Sequence, residues 1–238
     1  MGWLPLESNP EVLNPFVRRL GLPPNWEFCD VFGLDDELLA MVPQPCVALC
    51  LLFPSTNISR ARREELRGKL GSQPAPPPKL FFMQQHDGIG NACGTIALIH
   101  AVANSSLEGA FALESGGALA PFLATAAPLG VSDRGWRLTE ATELQELSDA
   151  TAAAGETAGA GTDDAQDQHF ICFTHVGGML YELDGRSTDE SGVAFPFCHG
   201  PTTAETFVAD AAKVIKEDFM ARDPENLNFN ITALCKQE

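Results

Sequence analysis

The sequence predicts an α+β domain, in which a sheet packs in layers against helices. Three observations point that way. Helical and strand-like segments mix without the regular strand–helix–strand rhythm of a doubly wound sheet. Cys46 to Phe53 (CVALCLLF) is apolar at every position, which suits a strand buried on both faces. His169 to His175 and Met179 to Asp184 flank Val176-Gly177-Gly178, a hairpin signal. The 238 residues, 45% apolar and 20% charged, suffice to bury such a core. They read as one domain over 1–238.

The elements follow in chain order. Pro10 to Leu20 is a helix, with Asn9 as N-cap and Pro10 at the first helical position. Asp35 to Met41 is a short helix. The Cys46–Phe53 strand leads to a charged helix over Ser59–Leu70. Gln73-Pro74-Ala75-Pro76-Pro77-Pro78 is an extended connector, followed by a strand over Leu80–Gln84. Asn91 to Val102 suits a buried helix and Thr139 to Asp149 an amphipathic one. Thr151 to Gln168 (TAAAGETAGAGTDDAQDQ) is small, polar and Gly-rich, and predicts a long mobile loop. After the hairpin come a helix over Thr203–Met220 and a closing strand over Leu227–Cys235.

Charge narrows the function classes. Lys plus Arg is 15 and Asp plus Glu is 32, a formal net charge of −17. Such a chain is poorly suited to phosphate backbones or anionic membrane faces, and a basic protein partner is the natural counterpart. The surplus is uneven: residues 1–100 hold 8 basic and 10 acidic side chains, residues 101–238 hold 7 and 22. Between Arg137 and Arg186 lie ten acids and no Lys or Arg. Seven cysteines occur with no C-x-x-C pair, which excludes a zinc ribbon or a thioredoxin motif. No signal peptide or membrane-length apolar run is visible. The expectation is a cytoplasmic chain, with the nucleus as a second compartment, whose cysteines stay thiols. The sequons at Asn57, Asn104 and Asn230 then read as chance matches. No His pair has metal-ligand spacing, so no metal and no cofactor are expected.

Cys93 is the first candidate for chemistry. A glycine-containing loop runs into Asn91, a good N-cap, which places Cys93 in the first helical turn. The dipole and unpaired N–H groups there stabilise a thiolate. The hairpin supplies the rest. With Gly177-Gly178 as the turn, His169 faces Arg186 and Ile171 faces Asp184. His169 and Asp184 then stand one diagonal step apart on one sheet face, within side-chain reach. A His oriented by an Asp and available to a Cys is the arrangement of a cysteine hydrolase. The other histidines fit blander roles: His100 in core packing, His175 exposed by the turn, His86 and His199 in solvated loops.

These residues carry a resemblance. The chain resembles the ubiquitin carboxyl-terminal hydrolases, small cysteine deubiquitinases, over nearly its whole length. The match includes Trp3-Leu4-Pro5-Leu6-Glu7 with Asn9-Pro10-Glu11, Asp30-Val31-Phe32-Gly33 and Asn91-Ala92-Cys93-Gly94-Thr95. It continues through Leu98-Ile99-His100-Ala101, His169-Phe170, Leu180 to Arg186 (LYELDGR) and Arg222-Asp223-Pro224. The resemblance implies a papain-like core with a central antiparallel sheet flanked by helices, a knotted backbone, and Thr151–Gln168 as a loop crossing the active site. It implies Cys93 as nucleophile, His169 as general base and acid, Asp184 as orienting carboxylate and Gln85 as oxyanion donor, with Gln84 as the alternative. It also implies Glu7, Glu11 and Asp30 as ubiquitin contacts, and the acid-rich stretch as attractive to ubiquitin's basic tail. Two departures stand out. His86-Asp87-Gly88 occupies a place where the family typically has one residue, and Ser187–Cys198 is longer than usual. The implied activity is release of small or flexible groups from ubiquitin's C-terminal glycine through a thioester, by a monomeric enzyme. The rival readings are a ubiquitin-binding module with little turnover and a hydrolase of a ubiquitin-like protein.

Overall fold

The computed structural model describes residues 2–155 and 168–237. At the amino end α1 (Pro10–Leu20) is capped by the Asn9 side chain, which accepts from Glu11 N. It stops at Gly21, whose positive φ lets its N–H return to Arg18 O. Strand β1 (Trp26–Asp30) and the short α2 (Asp36–Leu39) follow, then β2 (Cys46–Pro54), α3 (Ser55–Lys69) and α4 (Cys93–Leu107). Three helices come next: α5 (Leu119–Ala126), α6 (Val131–Leu138) and α7 (Thr142–Ala154). The hairpin is β3 (Gln168–Val176) and β4 (Met179–Leu183). The last elements are β5 (Phe197–Pro201), α8 (Phe207–Val214) and β6 (Asn230–Lys236).

The six strands form one sheet in the order β1-β6-β2-β3-β4-β5, and every neighbouring pair is antiparallel. The architecture is α+β, as expected. Strand β2 sits inside the sheet and sends alternate residues to two cores. Ala48 and Cys50 join the core built on α1 and α4, with Leu13, Phe16, Ile96 and Phe170. Leu49, Leu51 and Phe53 join the core beneath α8, with Phe173, Phe207 and Phe219. Burial on both faces is why the run has no polar alternation. Among the described residues no helix is long and apolar enough to cross a membrane.

Several expectations change. Among the described residues Leu80–Gln84 pairs with no strand; its backbone is held by side chains and loops instead. The last helix is broken: α8 ends at Val214 and widens into a π-turn over Ile215–Phe219. Of the expected loop, Thr151–Ala154 completes α7 and Gln168 opens β3. The rest, 156–167, lies outside the described residues. Strands β1 and β5 and helices α5 and α6 went unread. Each is five to eight residues long, too short for periodicity to declare itself.

Candidate active site

Cys93 is the first residue of α4. The N-cap position belongs to Ala92, which offers no side-chain cap, so Asn91 does not play that part. The first-turn N–H groups of an α-helix have no intrahelical acceptor, and the dipole there favours negative charge. The thiol is buried. Burial alone would push its pKa up, but His169, the Phe170 backbone and the charge of Arg186 outweigh it and bring the thiol below its ordinary value.

The hairpin has the register its glycine turn implies. Val176 pairs Met179 and Cys172 pairs Leu183, which carries His169 and Asp184 to the same end. His169 Nε2 lies 2.6 Å from Asp184 Oδ1. The other ring nitrogen, Nδ1, is buried and, among the described residues, has no hydrogen-bond partner of ordinary geometry. Burial works against a charged imidazole, yet Asp184 and the Cys93 thiol together raise the His169 pKa above its usual value. Asp184 is held well below the carboxylate range: burial opposes this, but His169, Arg63 and the Arg186 N–H dominate. Its carboxylate accepts from Arg63 Nε at 3.0 Å, Ser187 Oγ at 3.0 Å and Arg186 N at 2.9 Å. Arg63 and Ser187 are site residues that sequence reasoning missed. Arg63 looked like one more charge on a charged helix, and only the fold brings α3 over the end of β4.

The two glutamines separate cleanly. The Gln84 amide donates to Gly192 O at 2.9 Å and accepts from Ala194 N at 3.2 Å. It is therefore committed to the longer segment that follows Arg186. Gln85 is buried beside Gly185, its N–H donating to Gly185 O at 2.8 Å. A Cβ on Gly185 would stand 3.0 Å from Gln85 N, a tight approach that glycine eases. With its oxygen turned to Arg186, the Gln85 amide accepts from Nη2 at 2.8 Å and Nε at 3.2 Å. Its nitrogen is then left as a donor. The extra residues before Cys93 coil into a single 3-10 turn, Asp87–Ile89.

The remaining expected residues scatter. Glu7 accepts from Asn9 Nδ2 at 3.3 Å and lies against Gly155, where α7 ends. Glu11 is exposed on the first turn of α1. Asp30 lines an open cleft of about 630 Å³ with Val31, Phe32, Leu34, Lys216 and Phe229, and Phe32 is 73% exposed there. Of the ten acids between Arg137 and Arg186, Glu182 and Asp184 are buried and paired, and Glu140 pairs with Arg137. His86 is not simply solvated: it stacks on Trp136 with ring centroids 4.0 Å apart. His199 is not in a loop but in β5, with Nε2 2.8 Å from Glu182 Oε2. Among the described residues no group of His, Cys, Asp and Glu is arranged to hold a metal.

Comparison with known proteins gives the family and the fold. The family model described as ubiquitin carboxyl-terminal hydrolase, family 1, matches residues 3–221. An Aplysia californica ubiquitin carboxyl-terminal hydrolase is 42% identical over 224 residues, 94% of this chain and 97% of its own. The Homo sapiens ubiquitin carboxyl-terminal hydrolase isozyme L1 is 42% identical over 236 residues, covering 98% and 97%. The catalytic domain of Trichinella spiralis UCH37, solved bound to ubiquitin vinyl methyl ester, shares the fold with a TM-score of 0.75 at 22% identity. That match covers 100% of this chain and 97% of the other. A thiol at a helix start, the imidazole interacting with it, and a match over nearly the whole chain lead to one conclusion: the chain belongs to the ubiquitin carboxyl-terminal hydrolase family, and is thereby a cysteine peptidase.

Proposed function

We propose that this chain hydrolyses adducts at the C-terminal glycine of ubiquitin, with Cys93 as nucleophile, His169 as general base and acid, Asp184 as orienting carboxylate and Gln85 as oxyanion donor. The observation that carries this reading is the buried His169, bonded to Asp184 through Nε2 and coupled electrostatically to Cys93. Asp184 fixes the ring's orientation, and Nδ1 is the nitrogen left for the thiol. The thiolate forms a C–S bond to the glycine carbonyl carbon, and the carbonyl π electrons move onto oxygen. The Cys93 backbone N–H and the Gln85 amide steady that oxyanion. Collapse breaks the bond to the leaving group, which takes the His169 proton, and a thioester remains. His169 then takes a proton from water, whose oxygen attacks the thioester. Thiolate departs and ubiquitin leaves with a free carboxylate.

Ubiquitin's basic binding face finds two features suited to it. The acidic balance of residues 101–238 favours fast association at low salt. The cleft beside Asp30, with its exposed Phe32, offers apolar and acidic groups together. Glu7 and Glu11 extend the acidic surface at α1. The test is reaction with a ubiquitin carrying a C-terminal electrophile, followed by mass mapping. An adduct on Cys93 alone is expected, and Cys93→Ala should bind ubiquitin without turning over. Full turnover by Cys93→Ala, or ubiquitin binding with no adduct, overturns the reading.

A further inference from the structure

The segment 80–85 carries Gln85 yet pairs with no strand among the described residues, so other groups hold it in place. Asn104 takes both ends of Phe81: Oδ1 accepts from Phe81 N at 2.8 Å and Nδ2 donates to Phe81 O at 2.9 Å. His100 Nε2 accepts from Met83 N at 3.0 Å. Arg134 donates to Phe82 O at 3.0 Å, and Gln84 N reaches Val131 O at 3.1 Å. His100 and Asn104 are fully buried on α4. They stand seven and eleven residues beyond Cys93. At about 100° per residue those steps return to within roughly 20° of the same helical direction. Cys93, His100 and Asn104 thus form one stripe on one rigid helix.

We propose that His100 and Asn104 are positioning residues that set where Gln85 stands relative to Cys93; this rests on the roles given to Cys93 and Gln85 above. The connection between those two residues carries the added turn Asp87–Ile89; its far end is tied to Trp3 through Ile89 O and Asn91 N, while Gly88 in the turn has open space where a side chain would stand. Because α4 side chains hold Phe81 and Met83, and Gly185 O takes Gln85 N directly, the loop can vary in length while the oxyanion donor stays fixed. Acceptance at Nε2 requires the ring proton on Nδ1. Burial pushes the His100 pKa down to about 3, so the ring stays neutral and keeps that acceptor at working pH.

The experiment pairs two reactions of the full chain: steady-state hydrolysis of a ubiquitin C-terminal fluorogenic amide, and alkylation of Cys93 by iodoacetamide, which needs no oxyanion donor. Losing an oxyanion donor costs about 10²–10³ in kcat, so displacing one in His100→Ala should cost on the order of 10–100-fold. KM and the alkylation rate should stay within about twofold. His100→Gln, whose Oε1 can accept from Met83 N, should restore most of kcat, and deleting Asp87 and Gly88 should leave kcat within about threefold. Unchanged kcat in His100→Ala overturns the proposal. So does a parallel fall in alkylation, or a His100→Gln no better than alanine. Should His100→Ala not fold, the other two variants decide: a tenfold kcat loss on shortening the loop refutes the idea. A wild-type chain that alkylates normally but never hydrolyses the amide would instead refute the proposed function.

Discussion

Arg63 reaches from α3 to the carboxylate of Asp184, Nε to Oδ2 at 3.0 Å, on the oxygen that His169 does not use. Arg63 therefore supports the imidazole at one remove, by keeping Asp184 ionised and still. The guanidinium is partly exposed, with 23% of the side chain accessible, so its contribution is discounted for solvent screening. Arg63→Ala should lower kcat by roughly fivefold, about 1 kcal/mol. Arg63→Lys should recover less than half of the loss, because a point charge does not reproduce the Nε–H bond. Steady-state kinetics on a ubiquitin amide measures both.

The thiol and imidazole shifts have opposite signs, and this shapes the pH dependence. Cys93 loses its proton below the ordinary thiol value of 9.0, and His169 keeps its proton above the ordinary 6.5. Both shifts favour the thiolate–imidazolium pair over the neutral thiol and imidazole. Removing the imidazole leaves burial acting without its main counterweight. His169→Ala should move the Cys93 alkylation midpoint upward, and alkylation at neutral pH should slow by more than tenfold. An unmoved midpoint would mean that His169 does not set the thiol.

Arg62 and Glu182 form a bidentate ion pair in the interior, with the Arg62 guanidinium stacked over the Phe219 ring at 4.0 Å. Breaking such a pair from one side strands a charge. Arg62→Met should cost about 3–5 kcal/mol in urea unfolding at neutral pH. The native Glu182 pKa lies below its ordinary 4.5: burial opposes the shift, but Arg62 and His199 win. The pair's contribution is thus present above the unfolded value and lost as pH falls through the folded one. The gap between variant and parent should therefore narrow in acid.

Gly135 lets α6 touch the Gln84 backbone. A Cβ there would stand 2.1 Å from Gln84 O and 2.9 Å from His86 Cδ2. Gly135→Ala should cost about 1–3 kcal/mol through overpacking, although alanine favours a helix. Gly68→Ala on exposed α3, with nothing within 4 Å, should instead stabilise by roughly 0.5–1 kcal/mol. Thermal melts of the two variants separate crowding from propensity.

The His169–Asp184 pair was legible because a two-glycine turn sets hairpin register, and register places side chains by counting. Cys93 was legible from the loop that precedes it, although the cap residue was misread as Asn91. Leu80–Gln84 was mistaken for a strand because a short apolar run does not report which group bonds the backbone. Here those groups are Asn104 and His100, and no local pattern announces a backbone held by side chains. Arg62, Arg63 and Ser187 were unreadable for a related reason. Arg62 and Arg63 meet their carboxylates only after α3 packs over the end of β4, and Ser187 meets Asp184 only through the turn that follows β4.

The sheet order also carries a consequence for how the polypeptide matures on the ribosome. Strand β6 follows the other five in the sequence, yet it lies between β1 and β2, and among the described residues it alone is bonded to β1. Until residue 236 clears the exit tunnel, β1 has no ladder and β2 has an open, apolar edge. Every contact that closes the sheet there spans some two hundred residues, the long-range pairing that folds slowly. The nascent chain therefore carries an aggregation-prone edge until β6 emerges, and its need for holding chaperones should be greatest before then.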